Sequence, residues 1–507
     1  MMLRLRSTAT PLLLMMTAAT LDAATILFLF FPEYSHIRGS LPVAAELAAR
    51  GHVVWNALPS YLANHEGLQA SGVNILQYKS VDGYDIEADI FDKTITGFFE
   101  QDRAPVLFEE FKKICDMILR DTNLFRAIGK LNLDLIVFDS TPLPRMLTII
   151  AYKLEVPFIF FGAFFDVQAS RTPLALASDP SRGLPATTVM SFGYRVLNTV
   201  VHAMYFISDP FSYPHAVATY ASEKPYITME ALTAKGWLWL IAQEPLFEYP
   251  KATLPSVKFV GSTSETDPKP LPEPYLKFME KGGETTVIVS FGSKFKLLPD
   301  KIFQLLLDAF ARTKYNYIFK TTTKIKTAPN IMLVDWMPQS DLLAHPNIKL
   351  FITHCGANGQ NEAFLHGVPM IGFPMFAEQP YNAKKLGYFG FGIEMDLKTF
   401  TVDDLVSNIN EVIQNSSYSQ KIKKAAEITK LRKRSPKDEA VYWIEHVLKY
   451  GGAHLRSYCQ DMPLYQYLCL DVIGLVVFFL HVCIFLIWKS CGYCFRTIVH
   501  RPKEKRV

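Results

Sequence analysis

The segment Phe351-Ile352-Thr353-His354-Cys355-Gly356-Ala357-Asn358-Gly359-Gln360-Asn361-Glu362 reads as a strand, a tight turn and the start of a helix. Small residues in such a turn let backbone N–H groups approach an anion closely. The helix that follows adds the positive end of its dipole. Together they suit a diphosphate. His354, at the strand tip, can donate a hydrogen bond to the same oxygens. Asn358 and Glu362 share one helix face, where a carboxylate can accept both hydroxyls of a ribose. By itself the pattern is also that of a plain strand-to-helix turn with a helix cap.

The flanking residues narrow it. Trp336-Met337-Pro338-Gln339 precedes the turn and offers an aromatic face for a base and an amide for its edge. Glu378-Gln379 follows another apolar run, 369–373, where the hydroxyls of a sugar would lie. Gly367 and Pro369 end the intervening helix.

A second constellation lies far upstream. His36 follows a short apolar run, and Asp139 follows another. A histidine oriented by a carboxylate can take a proton from a hydroxyl nucleophile. Loop histidines and aspartates also cap helices or simply face water. His52 precedes a strand rather than following one and suits the role less.

The elements that must position these residues alternate. Strand-like runs at 25–31 and 53–58 flank a helical stretch at 41–50, a βαβ unit that implies a parallel sheet. Runs at 133–138 and 156–161 continue the pattern. The stretch 164–232 is less regular and rich in aromatic residues and proline; it reads as pocket wall or membrane contact. Pro268, Pro270, Pro272 and Pro274 mark a linker. Strands at 285–290, 317–320, 331–334, 350–353 and 369–373, with helices at 299–313, 358–366 and 382–386, build a second half. Residues 421–434 read as a basic, solvated helix. Two such halves form a cleft, and ligands bind beyond the carboxyl ends of the strands.

With 507 residues, half of them hydrophobic, the chain can bury two large cores, and its net charge of +4 argues against nucleic acid as a partner. Arg4 and Arg6 before an apolar run ending in Ala23-Ala24 read as a cleaved leader, residues 1–24. Residues 468–488 are apolar enough to span a bilayer, and the basic residues after them place the tail in the cytoplasm. The bulk of the chain is then lumenal, with one span. Lys503 and Lys505 resemble a dilysine endoplasmic-reticulum return signal, and Asn415-Ser416-Ser417 is a glycosylation sequon on the lumenal side. The seven cysteines are too scattered for a disulfide scaffold; Cys491 and Cys494, beside the span, suit palmitoylation better than metal. The expected organisation is leader 1–24, first domain 25–261, linker 262–283, second domain 284–450, juxtamembrane segment 451–467, membrane helix 468–488 and basic tail 489–507.

The motifs Trp336-Met337-Pro338-Gln339, Asp341-Leu342-Leu343, His345-Pro346, Phe351-Ile352-Thr353-His354, Glu362-Ala363, His366-Gly367-Val368-Pro369-Met370 and the run opening at Gln379 resemble the signature of the animal UDP-glycosyltransferases, which include the UDP-glucuronosyltransferases. Ser290-Phe291-Gly292-Ser293 is similar too, as is the order of leader, two halves, span and basic tail. The resemblance implies an α/β fold of two Rossmann-like parallel-sheet domains facing a cleft, the GT-B type, plus one C-terminal transmembrane helix. It implies that Trp336 and Gln339 hold uracil, and that Ser293, His354, Asn358 and Gly359, with the turn at Gly356, hold the diphosphate. Glu362 would hold the ribose, and Glu378 and Gln379 the sugar. His36 would be the base and Asp139 its partner, in a single displacement that inverts configuration and needs neither metal nor cofactor. The implied substrates are a UDP-sugar, carrying glucuronic acid or glucose, and a small lipophilic acceptor, with oligomerisation left open.

Two residues depart from the family pattern, which usually has glycine at Cys355 and aspartate at Glu378. A side chain at 355 crowds the turn, or strains it if the glycine it replaces has positive φ. One extra methylene at 378 moves the carboxylate by roughly a bond length, and catalysis is sensitive to ~1 Å errors. A weakly active UDP-binding membrane partner, or a transferase acting on a membrane lipid, are the competing readings.

Overall fold

The computed structural model describes residues 23–499 except 85, 87–89, 91, 101–107, 182–183, 264–267, 282–284 and 293–297. The expected leader up to residue 22, the dilysine tail and Ser293 therefore lie outside the described residues.

The first half is built on β1 (Thr25–Leu29), β2 (Val53–Pro59), β3 (Val73–Tyr78), β4 (Leu135–Asp139), β5 (Phe158–Gly162), β6 (Trp239–Ile241) and β7 (Val257–Phe259). They form one sheet in the order β3-β2-β1-β4-β5-β6-β7, with every pairing parallel. Both faces are covered, as a parallel sheet requires. Along β1, Leu27 and Leu29 enter one apolar core while Ile26 and Phe28 enter the other, the period of two of a strand.

The second half holds β8 (Thr286–Ser290), β9 (Asn316–Lys320), β10 (Ile331–Val334), β11 (Ile348–Thr353), β12 (Met370–Gly372) and β13 (Gly392–Glu394). Their order is β10-β9-β8-β11-β12-β13, again parallel throughout. Val287 and Val289 face one core and Ile288 the other.

Each sheet therefore has one place where neighbours are not consecutive and strand order reverses. In the first it lies between β1 and β4, in the second between β8 and β11. At such a point the loops leaving adjacent strands diverge to opposite faces and open a crevice.

Two segments sit differently from their expected assignments. Within the expected linker, Glu273–Lys281 is a helix whose Met279 is buried in the second half's core. Pro272 precedes this helix and Pro274 lies in its first turn, where a missing N–H removes no helical hydrogen bond. The helix Pro436–Tyr450, expected within the second domain, buries Ala440, Val441, Ile444 and Val447 in the first half's core. It is tied to the helix Leu41–Ala49 by Lys437 pairing with Glu46 at 2.8 Å. The chain thus crosses back before it reaches the membrane segment. That segment is the helix Leu470–Val499, whose portion Leu470–Arg496 is long and apolar enough to cross a bilayer, with a mean hydropathy of 2.7 over its most apolar 18 residues.

Candidate active site

The loop after β1 opens with Glu33, which caps the short helix Tyr34–Arg38 by accepting from the Ser35 N–H at 2.9 Å. The cap fixes where His36 falls. Asp139 is the last residue of β4 and is buried. Its Oδ1 accepts from the Thr141 N–H at 2.9 Å, and its Oδ2 lies 2.6 Å from His36 Nδ1. The structure thus brings this expected pair together at the first switch point. Burial works against charge on His36, but Asp139 outweighs it, with smaller help from Glu33 and Glu378, and the imidazole is held up to about 9. Glu378 belongs to the other half, so its influence on His36 shows that the two switch points face each other. Arg38 likewise acts on Glu362 across the cleft.

On the second half, β11 delivers His354 and Cys355 to the turn, and the helix Ala357–Leu365 starts with Gly356 as its cap. The His354 ring lies between two glycines: a Cβ on Gly292 would come within 2.9 Å of it, and one on Gly356 would overlap Nε2. Burial pushes this imidazole down to about 4, with a hydrogen bond to the Ser290 backbone opposing and Lys320 assisting. His354 is therefore neutral, a hydrogen-bond donor rather than a cation.

Cys355 has φ 65, the left-handed region in which glycine is at ease. Its side chain is fully buried against Gly372, where a Cβ would overlap the Cys355 sulfur. The departure from glycine is thus accommodated by the missing side chain at 372. Asn382 fixes the turn by donating to the Cys355 carbonyl at 3.0 Å.

Gln339 and Glu362 are joined: the amide Nε2 donates to Oε2 at 2.6 Å. Gly359 packs beneath them, with room for a Cβ no closer than 3.4 Å from that amide nitrogen. Burial raises the Glu362 carboxyl, while Gln339 and Arg38 lower it. Trp336 is 56% exposed, and Asn358 is exposed on the first turn of the helix Ala357–Leu365. Glu378 is half-buried at the start of the helix Gln379–Phe389 and makes no capping hydrogen bond. Gln379 is less available than its expected role requires. Its Oε1 already accepts from the Met375 N–H at 3.0 Å, which leaves the amide nitrogen for a ligand.

Lys320 was not singled out from the sequence, where it reads as an ordinary lysine closing a strand. In the fold its Nζ sits 4.3 Å from the Trp336 ring centroid and donates to the Gly292 carbonyl at 3.2 Å. Burial pushes its ammonium down to about 8. It places a cation between the expected base platform and the His354 turn.

In the first half a cavity of 110 Å³ opens beyond β4 and β5, lined by Pro142, Phe164, Phe165, Tyr205 and Phe211 among others. Phe164 is linked to the site because its N–H donates to Ser140 Oγ, next to Asp139. Asn415 is exposed and caps the helix Ser416–Lys430.

Residues 29–506 match the family described as UDP-glucoronosyl and UDP-glucosyl transferase. The chain is 32% identical over 406 residues to UDP-glucuronosyltransferase 2A2 of Mus musculus, covering 78% of this chain and 76% of that one. It is 28% identical over 489 residues to UDP-glucuronosyltransferase 1-2 of Rattus norvegicus, covering 92% and 90%. Among solved structures, Os79 from O. sativa, in complex with U2F and trichothecene, shares the fold with a TM-score of 0.61 at 15% identity, over 83% of this chain and 100% of that one.

Proposed function

The chain belongs to the UDP-glucoronosyl and UDP-glucosyl transferase family and is a UDP-glycosyltransferase; on that premise we propose that it transfers glucuronic acid or glucose to a hydroxyl of a small lipophilic acceptor with inversion, using His36 as base. The observation that carries this reading is the His36–Asp139 contact at 2.6 Å, set opposite Glu378 of the other half.

In this reading UDP lies on the second half. Uracil stacks on Trp336, the ribose hydroxyls bond Glu362 beside Gln339, and the diphosphate meets the turn His354–Gly359. Gly356, Asn358 and Gly359 contribute backbone or amide groups there, Ser293 joins them as the family resemblance implies, and Lys320 supplies positive charge. Glu378 and the Gln379 amide nitrogen take the sugar hydroxyls. The acceptor enters from the first half, beside Phe164 and Phe165. His36 takes the acceptor proton on Nε2, since Nδ1 faces Asp139. The acceptor oxygen attacks the anomeric carbon from the face opposite the departing UDP, so one displacement inverts the centre. Charge growing on UDP is met by the helix N-terminus, the neutral His354 as donor, and Lys320.

The apolar helix Leu470–Val499 is the proposed single span, with both sheets on the lumenal side of the endoplasmic reticulum and Asn415 glycosylated there. The test uses the purified full chain with UDP-glucuronic acid or UDP-glucose and a generic phenol. His36→Ala is expected to abolish transfer and to retain donor binding. Near-normal turnover by that variant would remove His36 from the mechanism.

A further inference from the structure

The helix Gln379–Phe389 is tied to both halves of the chain through two successive residues. Asn382 donates to the Cys355 carbonyl, in the turn that carries His354, at 3.0 Å, and its own carbonyl accepts from Gln360 at 3.3 Å. Tyr381 instead reaches the first half. Its hydroxyl donates to Glu248 Oε1 and accepts from the Lys251 ammonium at 3.2 Å. Tyr381 and Asn382 are both fully buried, and only Pro380 separates Tyr381 from Gln379.

Glu248 and Lys251 lie between β6 and β7, in the loop 242–256. This loop puts Phe247 into the second half's core, stacked on Phe364 at 5.4 Å. It also sets Tyr249 edge-on to the Tyr381 ring at 5.3 Å. Between these two aromatic residues the chain buries a carboxylate. Glu248 accepts from the Tyr249 N–H at 3.0 Å, and its oxygens lie 3.7 Å from the Lys251 ammonium and 3.5 Å from that of Lys385, a residue of the same helix as Tyr381. A buried charged group is costly to desolvate, and packed apolar side chains join two surfaces as well or better. Phe247 and Tyr249 already supply that adhesion. What the carboxylate adds is a bond of fixed length and direction.

The other end of these contacts is the cavity of the first half. Lys251 lines it together with Phe165, and the ammonium lies 5.9 Å from the Phe165 ring centroid. A continuous path therefore runs from the cavity wall through Lys251 and Tyr381 to the first turn of the helix, where Glu378 and Gln379 stand.

We propose that Glu248 and Tyr381 are positioning residues for transfer, a strut that fixes the distance between an acceptor in the cavity and a sugar held at Glu378 and Gln379. The proposal rests on the reading of those two residues as the sugar site. An error of ~1 Å between reacting groups can cost on the order of a hundredfold in rate. Uracil and diphosphate, bound elsewhere on the second half, do not sense that error.

The experiment uses the full chain in detergent micelles, with 4-nitrophenol and whichever of UDP-glucuronic acid and UDP-glucose the wild type uses. The kcat is expressed per UDP-binding site, so that misfolded protein does not count. Tyr381→Phe keeps the ring and removes only the hydroxyl. It is expected to lower kcat by roughly ten- to a hundredfold and to leave the Kd for UDP within about twofold of wild type. Glu248→Ala is expected to lose rate in the same way. Glu248→Gln, whose amide oxygen can still accept from the Tyr381 hydroxyl, is expected to recover at least roughly a third of the wild-type kcat. Wild-type kcat in Tyr381→Phe overturns the proposal. So does a parallel loss of kcat and UDP affinity, which would reduce the contact to holding the fold together, and so does a Glu248→Gln variant as slow as Glu248→Ala. Gln379→Ala tests the sugar site by itself, through a KM for the UDP-sugar raised by roughly tenfold at unchanged Kd for UDP. An unchanged KM there would remove the sugar site, and the strut with it, whatever Tyr381→Phe shows.

Discussion

His36 Nδ1 stands 2.6 Å from Asp139 Oδ2, joining the short helix after β1 to the end of β4, two strands that are neighbours in the sheet and far apart in sequence. The contact orients the ring and also sets its charge. Burial pushes the imidazole down, Asp139 more than reverses this, and the group is held up to about 9. A raised value means that the base form is scarce at neutral pH and grows as pH rises. With saturating donor and acceptor, kcat is expected to climb about tenfold per pH unit between roughly pH 6 and 8 and to level off near 9. A pH–rate profile checks this; a flat profile across that window would show that His36 is not the group whose deprotonation limits transfer.

Asp139→Asn separates orientation from basicity. The amide keeps the shape but removes the charge that raises the imidazole. Burial then acts with less opposition, so the midpoint of the pH–rate profile is expected to move toward acid. The plateau rate is expected to fall by ~10²–10⁴-fold, because an amide no longer stabilises the imidazolium or selects its tautomer. A purely structural role for Asp139 would lower the rate without moving the midpoint.

Much of this was legible in the sequence because the signals are local. The turn His354–Gly356 is announced by small residues between a β-branched strand and a helix, and the structure places β11 and the helix Ala357–Leu365 on either side of it. What was not legible depends on long-range contact. The strands Trp239–Ile241 and Val257–Phe259 have three residues each and owe their conformation to β5 and to each other. The helix Pro436–Tyr450 carries an ordinary amphipathic pattern that does not say which sheet it covers. Lys320 becomes notable only when β9 sets it over Trp336, a packing event between segments that no spacing encodes.

Lys320 gives a prediction opposite in sign to that for His36. Its ammonium is pushed by burial down to about 8, so it loses charge as pH rises through that value. If it meets the diphosphate, KM for the UDP-sugar should rise above about pH 8 while kcat is still climbing. Hydrogen bonds to charged groups contribute ~1.5–3 kcal/mol, so Lys320→Met is expected to raise that KM by roughly ten- to a hundredfold and to abolish its rise at alkaline pH. Initial rates over a grid of donor concentration and pH separate the two effects. An unchanged KM would place Lys320 in the role of a packing residue against Trp336.

The turn itself supplies the last prediction, since Cys355 and Gly372 fit only as a pair. Cys355 holds φ 65 and buries its sulfur where a Cβ at 372 would stand. Gly372→Ala is therefore expected to destabilise the second half by ~1–3 kcal/mol, the range for overpacking a filled core. It should also weaken UDP binding, because the displaced sulfur pulls on the turn that carries His354. Cys355→Gly alone has two opposing effects: it relieves the left-handed backbone and empties a small pocket, so its melting temperature should stay close to wild type. In the double variant the alanine methyl moves into the space the sulfur vacates. Leu386, whose Cδ1 would lie 2.9 Å from that methyl, can turn aside. The double variant is expected to regain at least half of the lost stability, measured by thermal melts of all four proteins. Costs that simply add would show that the two residues do not share this space and that Cys355 is tolerated for another reason.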